Sequence, residues 1–207
     1  MQHPIHVLVV DDHPIVNQGL VALLEYESDI TVVGQAYNGR EAIELFRQHQ
    51  PDVTLMDLRM PEMGGVEAIT TICAEFSNPQ IIVLTTYNGD EDIYRGLRAG
   101  AKGYLLKDAN PDELLAAIHM VHKGKQYISL EVGIKLAQRM SSPELSEREL
   151  EVIRLIVKGK TNPEISAVLS ITEGTVRFHI NNILGKLNVN DRTQAVITAL
   201  NRGIVSL

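Results

Sequence analysis

The sequence has a single cysteine, Cys73, and no tryptophan. A lone thiol excludes an internal disulfide framework and any zinc site built from cysteines. Aromatic residues make up only 4% of the 207, so the core is expected to be aliphatic, drawn from Val, Ile, Leu and Ala. No apolar run approaches the roughly 18 residues that span a bilayer. The start, Met1-Gln2-His3-Pro4, lacks the charged-then-apolar pattern of a secretory leader, and its first apolar run stops at Asp11. These absences predict a cytoplasmic protein with no membrane segment. Basic residues are scarce as well: 19 Lys and Arg against 26 Asp and Glu give a formal net charge of −7, which repels a polyanion. The deficit is uneven. Residues 1–142 carry 11 basic and 19 acidic side chains, a net of −8, whereas 143–207 carry 8 and 7, a net of +1. Such asymmetry, in a chain long enough for two small domains, predicts two different tasks.

What is present is periodic. Short runs rich in Val and Ile occur at Ile5–Val10, Ile30–Ala36, Val53–Met56, Ile81–Thr85 and Gly103–Leu106. Between them lie stretches with helical spacing, such as Val16, Leu20, Leu23 and Leu24, or Leu114, Leu115, Ile118 and Val121. The first, third and fourth runs are almost continuously apolar, as strands buried on both faces should be. Five strands alternating with five helices predict an α/β fold, a five-stranded doubly wound parallel sheet over residues 1–122. From 123 to 142 the pattern loosens into a partly helical linker, with Val132, Leu136 and Met140 recurring every four residues and Ser141-Ser142-Pro143 punctuating its end. Residues 143–207 then read as a small all-α domain of four short helices. Ser146 with Glu149, Thr161 with Glu164 and Asp191 with Gln194 are capping-box pairs, and Thr172 is a further N-cap.

Polar residues mark the carboxyl ends of the predicted strands, the edge where parallel sheets gather their binding sites. Asp11 and Asp12 follow the first strand, Asp57 the third, Thr85 ends the fourth and Lys107 follows the fifth. Taken singly, each is an ordinary turn, cap or surface residue. Together they form a pocket. Three converging carboxylates repel one another, and a hard divalent cation such as Mg2+ relieves this while leaving room for a phosphoryl oxygen. Lys107 adds a second positive charge and Thr85 a hydroxyl donor. The set suits phosphoryl transfer to a carboxylate, in which positioning and charge neutralisation do most of the work.

Three motifs then carry a resemblance. Val7-Leu8-Val9-Val10-Asp11-Asp12-His13, Met56-Asp57-Leu58-Arg59-Met60-Pro61 with Gly65 eight residues after Asp57, and Leu105-Leu106-Lys107-Asp108 resemble the receiver domain of two-component response regulators, over about residues 4–122. The resemblance implies that Asp57 accepts a phosphoryl group from a sensor histidine kinase. It implies that Asp12, Asp57 and the backbone carbonyl of Arg59 hold Mg2+, with Asp11 acting largely through water. It implies that Lys107 pairs with the phosphoryl group while Thr85 and Tyr104 form a switch, the aromatic ring turning inward. Arg59 and Tyr87, each two positions beyond a motif residue, are implied to tune the lifetime of the acyl phosphate.

The second domain has its own signal. Residues 161–169, the turn Ser170-Ile171-Thr172 and Glu173–Leu187 predict two helices joined by a tight turn. Val176, Ile180, Ile183, Leu184 and Leu187 share one face of the longer helix. Arg177, Phe178 and Asn181, with His179 and Asn182, face away near its start. That describes a helix-turn-helix whose second helix offers Arg and Asn to base edges, though periodicity alone fits a plain helical bundle equally well. Leu145-Ser146-Glu147-Arg148-Glu149-Leu150-Glu151-Val152, Lys160-Thr161-Asn162-Pro163-Glu164-Ile165 and Thr172-Glu173-Gly174-Thr175-Val176-Arg177-Phe178-His179 resemble the LuxR-type helix-turn-helix. A receiver followed by this module is the layout of NarL/FixJ-type transcription factors.

By that resemblance Arg177, Phe178 and Asn181 read bases, and Lys160, Thr175 and His179 contact phosphates of double-stranded DNA. Part of the helix over 192–202, with Ala195, Val196, Ala199 and Leu200, is implied to form the DNA-bound homodimer interface, though for any one of these residues simple packing onto the module fits equally well. Two departures matter. Asn181 stands where the family often has Lys, and Pro163 where a charged residue is common, so non-specific affinity should be weak and dimerisation important. The chain therefore reads as a phosphorylation-controlled, sequence-specific DNA-binding regulator rather than an enzyme. Its rivals are a regulator controlled by a protein partner, and an aspartyl-phosphate hydrolase. Against the hydrolase, Arg59 occupies the position where such enzymes need a general acid. His119 and His122 lie three apart on a helix without a third metal ligand, and Cys73 is expected to be a small buried hydrophobe.

Overall fold

The computed structural model describes residues 3–86, 89–141, 143–202 and 204–205, without the side chains of 138 and 141. Its elements run β1 (Ile5–Val10), α1 (Pro14–Glu25), β2 (Ile30–Ala36), α2 (Gly39–His49), β3 (Val53–Met56), α3 (Gly65–Glu75), β4 (Ile81–Thr85), α4 (Asp90–Arg98), β5 (Gly103–Leu106), α5 (Pro111–His122), β6 (Tyr127–Ile128), α6 (Leu130–Ser141), α7 (Glu147–Val157), α8 (Asn162–Leu169), α9 (Glu173–Leu187) and α10 (Arg192–Asn201). They divide into two compact units, residues 1–136 and 137–207.

In the first unit the strands lie in the order β2-β1-β3-β4-β5-β6, every pairing parallel. The five expected strands occupy the expected residues. The sheet has six, not five: β6 pairs Tyr127 with Gly103 and Ile128 with Tyr104. Two residues with no alternation around them carry too little pattern to mark a strand in the sequence. The loosened segment over 123–142 thus holds a strand and a helix.

The period of two along each strand sends alternate side chains to opposite faces. Leu8, Val10, Met56, Val83 and Tyr104 point to one face, where Ala42, Ile43 and Phe46 of α2, Ala68, Ile69 and Ile72 of α3 and Ile93 of α4 cover them. Val7, Val9, Leu55, Ile82, Leu84 and Leu105 point to the other, covered by Leu24 of α1 and by Leu114, Ala117, Ile118 and Val121 of α5. Burying a branched aliphatic side chain contributes about 1.5–3 kcal/mol, so these two layers dominate the stability of the unit. Val132 and Leu136 of α6 join the first layer. Cys73 is half-buried rather than buried, its sulfur under Gly100, and burial pushes its thiol up.

The second unit packs four helices around Val152, Ile153, Ile156, Ile165, Val176, Ile183 and Leu187. Its helix starts are fixed locally. Ser146 Oγ accepts from the Glu149 amide, and Glu149 Oε2 accepts from the Ser146 amide at 2.7 Å. Glu164 Oε2 accepts from both the Thr161 amide, at 2.8 Å, and its hydroxyl, at 2.9 Å. At α10, Asp191 caps the Gln194 amide, but the Gln194 side chain accepts from Asn190, one residue earlier than a capping box requires. Ala195 and Ala199 are buried in this core, with Val196 and Leu200 half-buried against it. The apolar side chain that α10 offers to solvent is Ile197.

Candidate functional site

Backbone hydrogen bonds carry the sheet ladder one residue past the strand ends and set the pocket. The Asp11 amide donates to the Ala36 carbonyl at 3.0 Å, the Asp57 amide to Val10 at 2.9 Å and the Lys107 amide to Thr85 at 2.9 Å. Side chains from three strand ends are thereby aimed at one spot. Lys107 Nζ lies 2.6 Å from Asp11 Oδ2 and 2.6 Å from Asp57 Oδ2, with all three side chains largely removed from solvent. Asp57 Oδ1 accepts from the Leu58 amide at 2.6 Å, and Asp11 Oδ1 from the His13 amide at 2.9 Å. Burial acts to lower the affinity of the Lys107 amine for its proton, but the hydrogen bonds to Asp11 and Asp57 outweigh it and raise it overall.

Asp12 sits at the pocket's rim. Its Oδ1 is buried and receives no hydrogen bond. The His13 ring nitrogen lies 2.8 Å away, out of line to donate. An acidic oxygen left bare beside two further carboxylates is what a divalent cation would complete. The residues present therefore fit such an ion. Asp11, Asp12, His13 and Asp57 each offer a ligand atom, all within 4.8 Å of one another.

Thr85 is fully buried at the end of β4. Tyr104, on the neighbouring strand, is fully buried too; its ring already lies inward. Burial, then the charges of Asp92 and Asp57, push its hydroxyl far above the ordinary phenol range. Gly96 of α4 packs against the ring: a Cβ there would stand 3.5 Å from Tyr104 Cε2, an ordinary contact distance, and 3.3 Å from Val83 Cγ2. Tyr87 lies outside the described residues. The Arg59 side chain reaches Asp92, its Nη2 3.1 Å from Asp92 Oδ2.

Sequence reasoning missed Asn17. It is buried on α1, and its Nδ2 donates to the carbonyls of Asp11 and Ala36 at 3.1 Å each, tying the ends of β1 and β2 beneath the pocket. The available signal was a polar residue one position after Val16, on the helix face that turns toward the sheet. His119 and His122 do not build a metal site: His119 Nδ1 lies 2.7 Å from the Leu115 carbonyl and Nε2 2.9 Å from Asp29.

In the second unit, α8, the turn and α9 form the expected helix-turn-helix. Ser170 takes a left-handed conformation, φ 54° and ψ 42°, to make the turn. Arg177, Phe178 and Asn181 are exposed near the start of α9, and Phe178 holds 60% of its surface in solvent. His179 is half-buried against the Phe178 ring, with centroids 5.7 Å apart. Thr175 Oγ1 lies 2.9 Å from Thr172 Oγ1. The two candidate cations each have an acidic neighbour: Arg177 lies 3.6 Å from Glu173, and Lys160 3.0 Å from Glu164. The Thr161 amide, Lys160 and the Thr161 hydroxyl hold the Glu164 carboxyl down at about 2, so it stays charged beside Lys160.

Comparison with known proteins agrees with both units. Residues 7–119 match the response regulator receiver domain, and residues 143–199 match the luxR family of bacterial regulatory proteins. The transcriptional regulatory protein LiaR of Bacillus subtilis is 44% identical over 210 residues, covering 98% of this chain and all of LiaR. A structure of the RcsB response regulator of Salmonella typhimurium superposes with a TM-score of 0.82 at 28% identity, covering 93% of this chain and 98% of that one. An RcsB–DNA complex superposes with a TM-score of 0.78 at 28% identity, covering 99% of this chain and all of that one. The chain belongs to the two-component response regulators that join a receiver domain to a LuxR-type helix-turn-helix.

Proposed function

We propose that this response regulator is switched by phosphorylation of Asp57 and that the switch tightens binding of a dimer to a two-fold symmetric DNA site. The observation that carries the proposal is the Lys107 ammonium held 2.6 Å from both Asp11 and Asp57, beside the bare oxygen of Asp12. An Asp57 carboxylate oxygen attacks the phosphorus of a kinase phosphohistidine. The P–N bond breaks, and its electron pair returns to the imidazole. Mg2+, held by Asp11, Asp12, Asp57 and the Arg59 carbonyl, would neutralise charge on the transferring oxygens. Lys107 then gives up its bond to Asp57 and pairs with the new phosphoryl oxygens, while Thr85 supplies a hydroxyl to another.

The phosphoryl group adds roughly −1.5 to −2 of charge and three strong acceptors inside the sheet edge. Shifting a two-state element from 1:99 to 99:1 takes about 5.5 kcal/mol of differential stabilisation, within reach of a few charge-assisted hydrogen bonds. On the second unit, Arg177, Phe178 and Asn181 would read base edges, with Lys160, Thr175 and His179 on phosphates. The RcsB–DNA complex shares this helix-turn-helix and supports the same mode here. A turnover enzyme is disfavoured: Arg59 offers no proton at neutral pH and is turned toward Asp92.

The test is selection from a randomised DNA library with and without a small-molecule phosphodonor and Mg2+, at fixed salt. Phosphorylation should enrich a palindromic site and strengthen binding to it. Asp57→Asn should lose the strengthening while remaining folded. Equal operator affinity in D57N and the phosphorylated wild type would refute the switch.

A further inference from the structure

We propose that His13 is a further ligand of the cation in the acceptor pocket, and that its imidazole shifts the pocket's preference from Mg2+ toward transition ions that accept nitrogen as well as oxygen donors, Fe2+ and, among the hard ions, Mn2+. The inference deepens the phosphorylation reading and rests on it for the existence of the metal.

His13 sits immediately before α1 with an extended backbone, φ −90° and ψ 108°, and its side chain caps nothing. Its amide donates to Asp11 Oδ1, so the backbone anchors the ring's starting point against the pocket. The ring nitrogen Nδ1 then stands 2.8 Å from Asp12 Oδ1 and 3.4 Å from Asp11 Oδ1. Neighbouring ligands on an octahedral ion with bonds of about 2.1 Å lie about 3.0 Å apart. The two observed separations bracket that spacing. Lys107 takes the Oδ2 atoms of Asp11 and Asp57, which leaves Asp12 Oδ1 bare on the side that faces His13. The ring is 65% exposed, so it can turn onto an ion without disturbing the core.

The chemistry of the donor set decides which ions benefit. Carboxylates, carbonyls and water suit Mg2+, Ca2+ and Mn2+, whereas imidazole adds affinity along the first-row transition series, least for Mn2+ and more for Fe2+ and the later ions. Three carboxylates with one imidazole favour ions that accept both donor kinds. Mg2+ gains little from a nitrogen donor and keeps its waters instead.

Mn2+ is the probe, because its free-ion electron paramagnetic resonance signal disappears on binding. In the full-length protein, His13→Ala should weaken Mn2+ binding about tenfold, the scale on which altered metal surroundings act. Mg2+, measured by competition, should bind equally well before and after. Pulsed spectra of Mn2+-loaded wild type should show a nitrogen coupling that both H13A and H13N lack; because the chain has seven histidines, loss in these variants assigns it. H13N tests the same point with a side chain that suits a helix N-cap. Unchanged Mn2+ affinity and no nitrogen coupling, with Asp12→Asn still abolishing binding, would overturn the role of His13 and leave the metal pocket standing. Failure of the wild type to bind either ion would overturn both.

Discussion

Lys107 and Asp57 are fifty residues apart in sequence and 2.6 Å apart in the structure. The same ammonium reaches Asp11 at the same distance, so one cation offsets two carboxylates inside the sheet edge. Replacing it by Met leaves those carboxylates facing each other without a counterion, at a cost of about 3 kcal/mol in the receiver at neutral pH. The proton on Lys107 is held above its ordinary value of 10.5, the bonds to Asp11 and Asp57 prevailing over burial. A raised value means that the stabilisation is complete below pH 10.5 and is lost as pH climbs through the folded value. Thermal melts across the alkaline range should show that loss in the wild type, and K107M should lack it.

Gly65 is constrained from the other side of Asp57. A Cβ on it would stand 2.0 Å from the Asp57 carbonyl oxygen. Gly65→Ala must push the acceptor strand's end out of register with Lys107 and Asp12. A displacement of about 1 Å at a reacting centre can slow a reaction by about 100-fold. Phosphorylation from a small-molecule donor, followed on a phosphate-affinity gel, should slow by at least about tenfold. An unchanged rate would separate the loop geometry from the chemistry.

Arg177 and Lys160 should fail in different ways. Arg177→Ala should cost about 1–3 kcal/mol on the selected operator and relax its sequence preference. Lys160→Ala should weaken all sequences alike and reduce the salt slope by about one. Because Glu164 sits 3.0 Å from Lys160, Glu164→Gln should raise non-specific affinity. Titrations at several salt concentrations distinguish the three.

Glu149 is nearly buried on α7, with Lys186 of α9 2.7 Å from its Oε2. Burial acts to raise its carboxyl, but Lys186 and the Ser146 backbone and hydroxyl lower it overall. A lowered value means that the stabilisation is present above the ordinary 4.5 and is lost as pH falls through the folded value. Glu149→Gln should cost the helical unit about 2 kcal/mol at neutral pH and flatten its acid transition. Calorimetry of the full chain reads both.

Much of this was legible in the sequence because it was written in period and position. Continuous apolar runs marked the buried strands, and polar residues at the ends of the first, third, fourth and fifth strands marked the pocket. What stayed hidden depends on directions that a sequence does not carry. β6 is two residues long, too short for alternation to register. Asn17 looks like a stray polar residue until the carbonyls of Asp11 and Ala36 appear beside its amide. On α10, of the two roles open to its apolar residues, packing is what Ala195 and Ala199 do, because spacing alone does not say which neighbour an apolar face meets. Tyr104 was expected to turn inward; its ring already lies buried, a rotamer that no spacing in the sequence encodes.

The small strand β6 also changes what counts as a tether. The Tyr127 amide donates to the Lys102 carbonyl at 2.9 Å, and Val132 is fully buried in the core beyond it. A protease probing the chain would therefore find few yielding bonds between His122 and Leu136, because cleavage needs backbone that can leave its partners. A receiver fragment cut at residue 122 would expose the edge of β5 and shed Val132 and Leu136 from its core, inviting strand-to-strand aggregation. A fragment ending at residue 136 would keep its own edge covered.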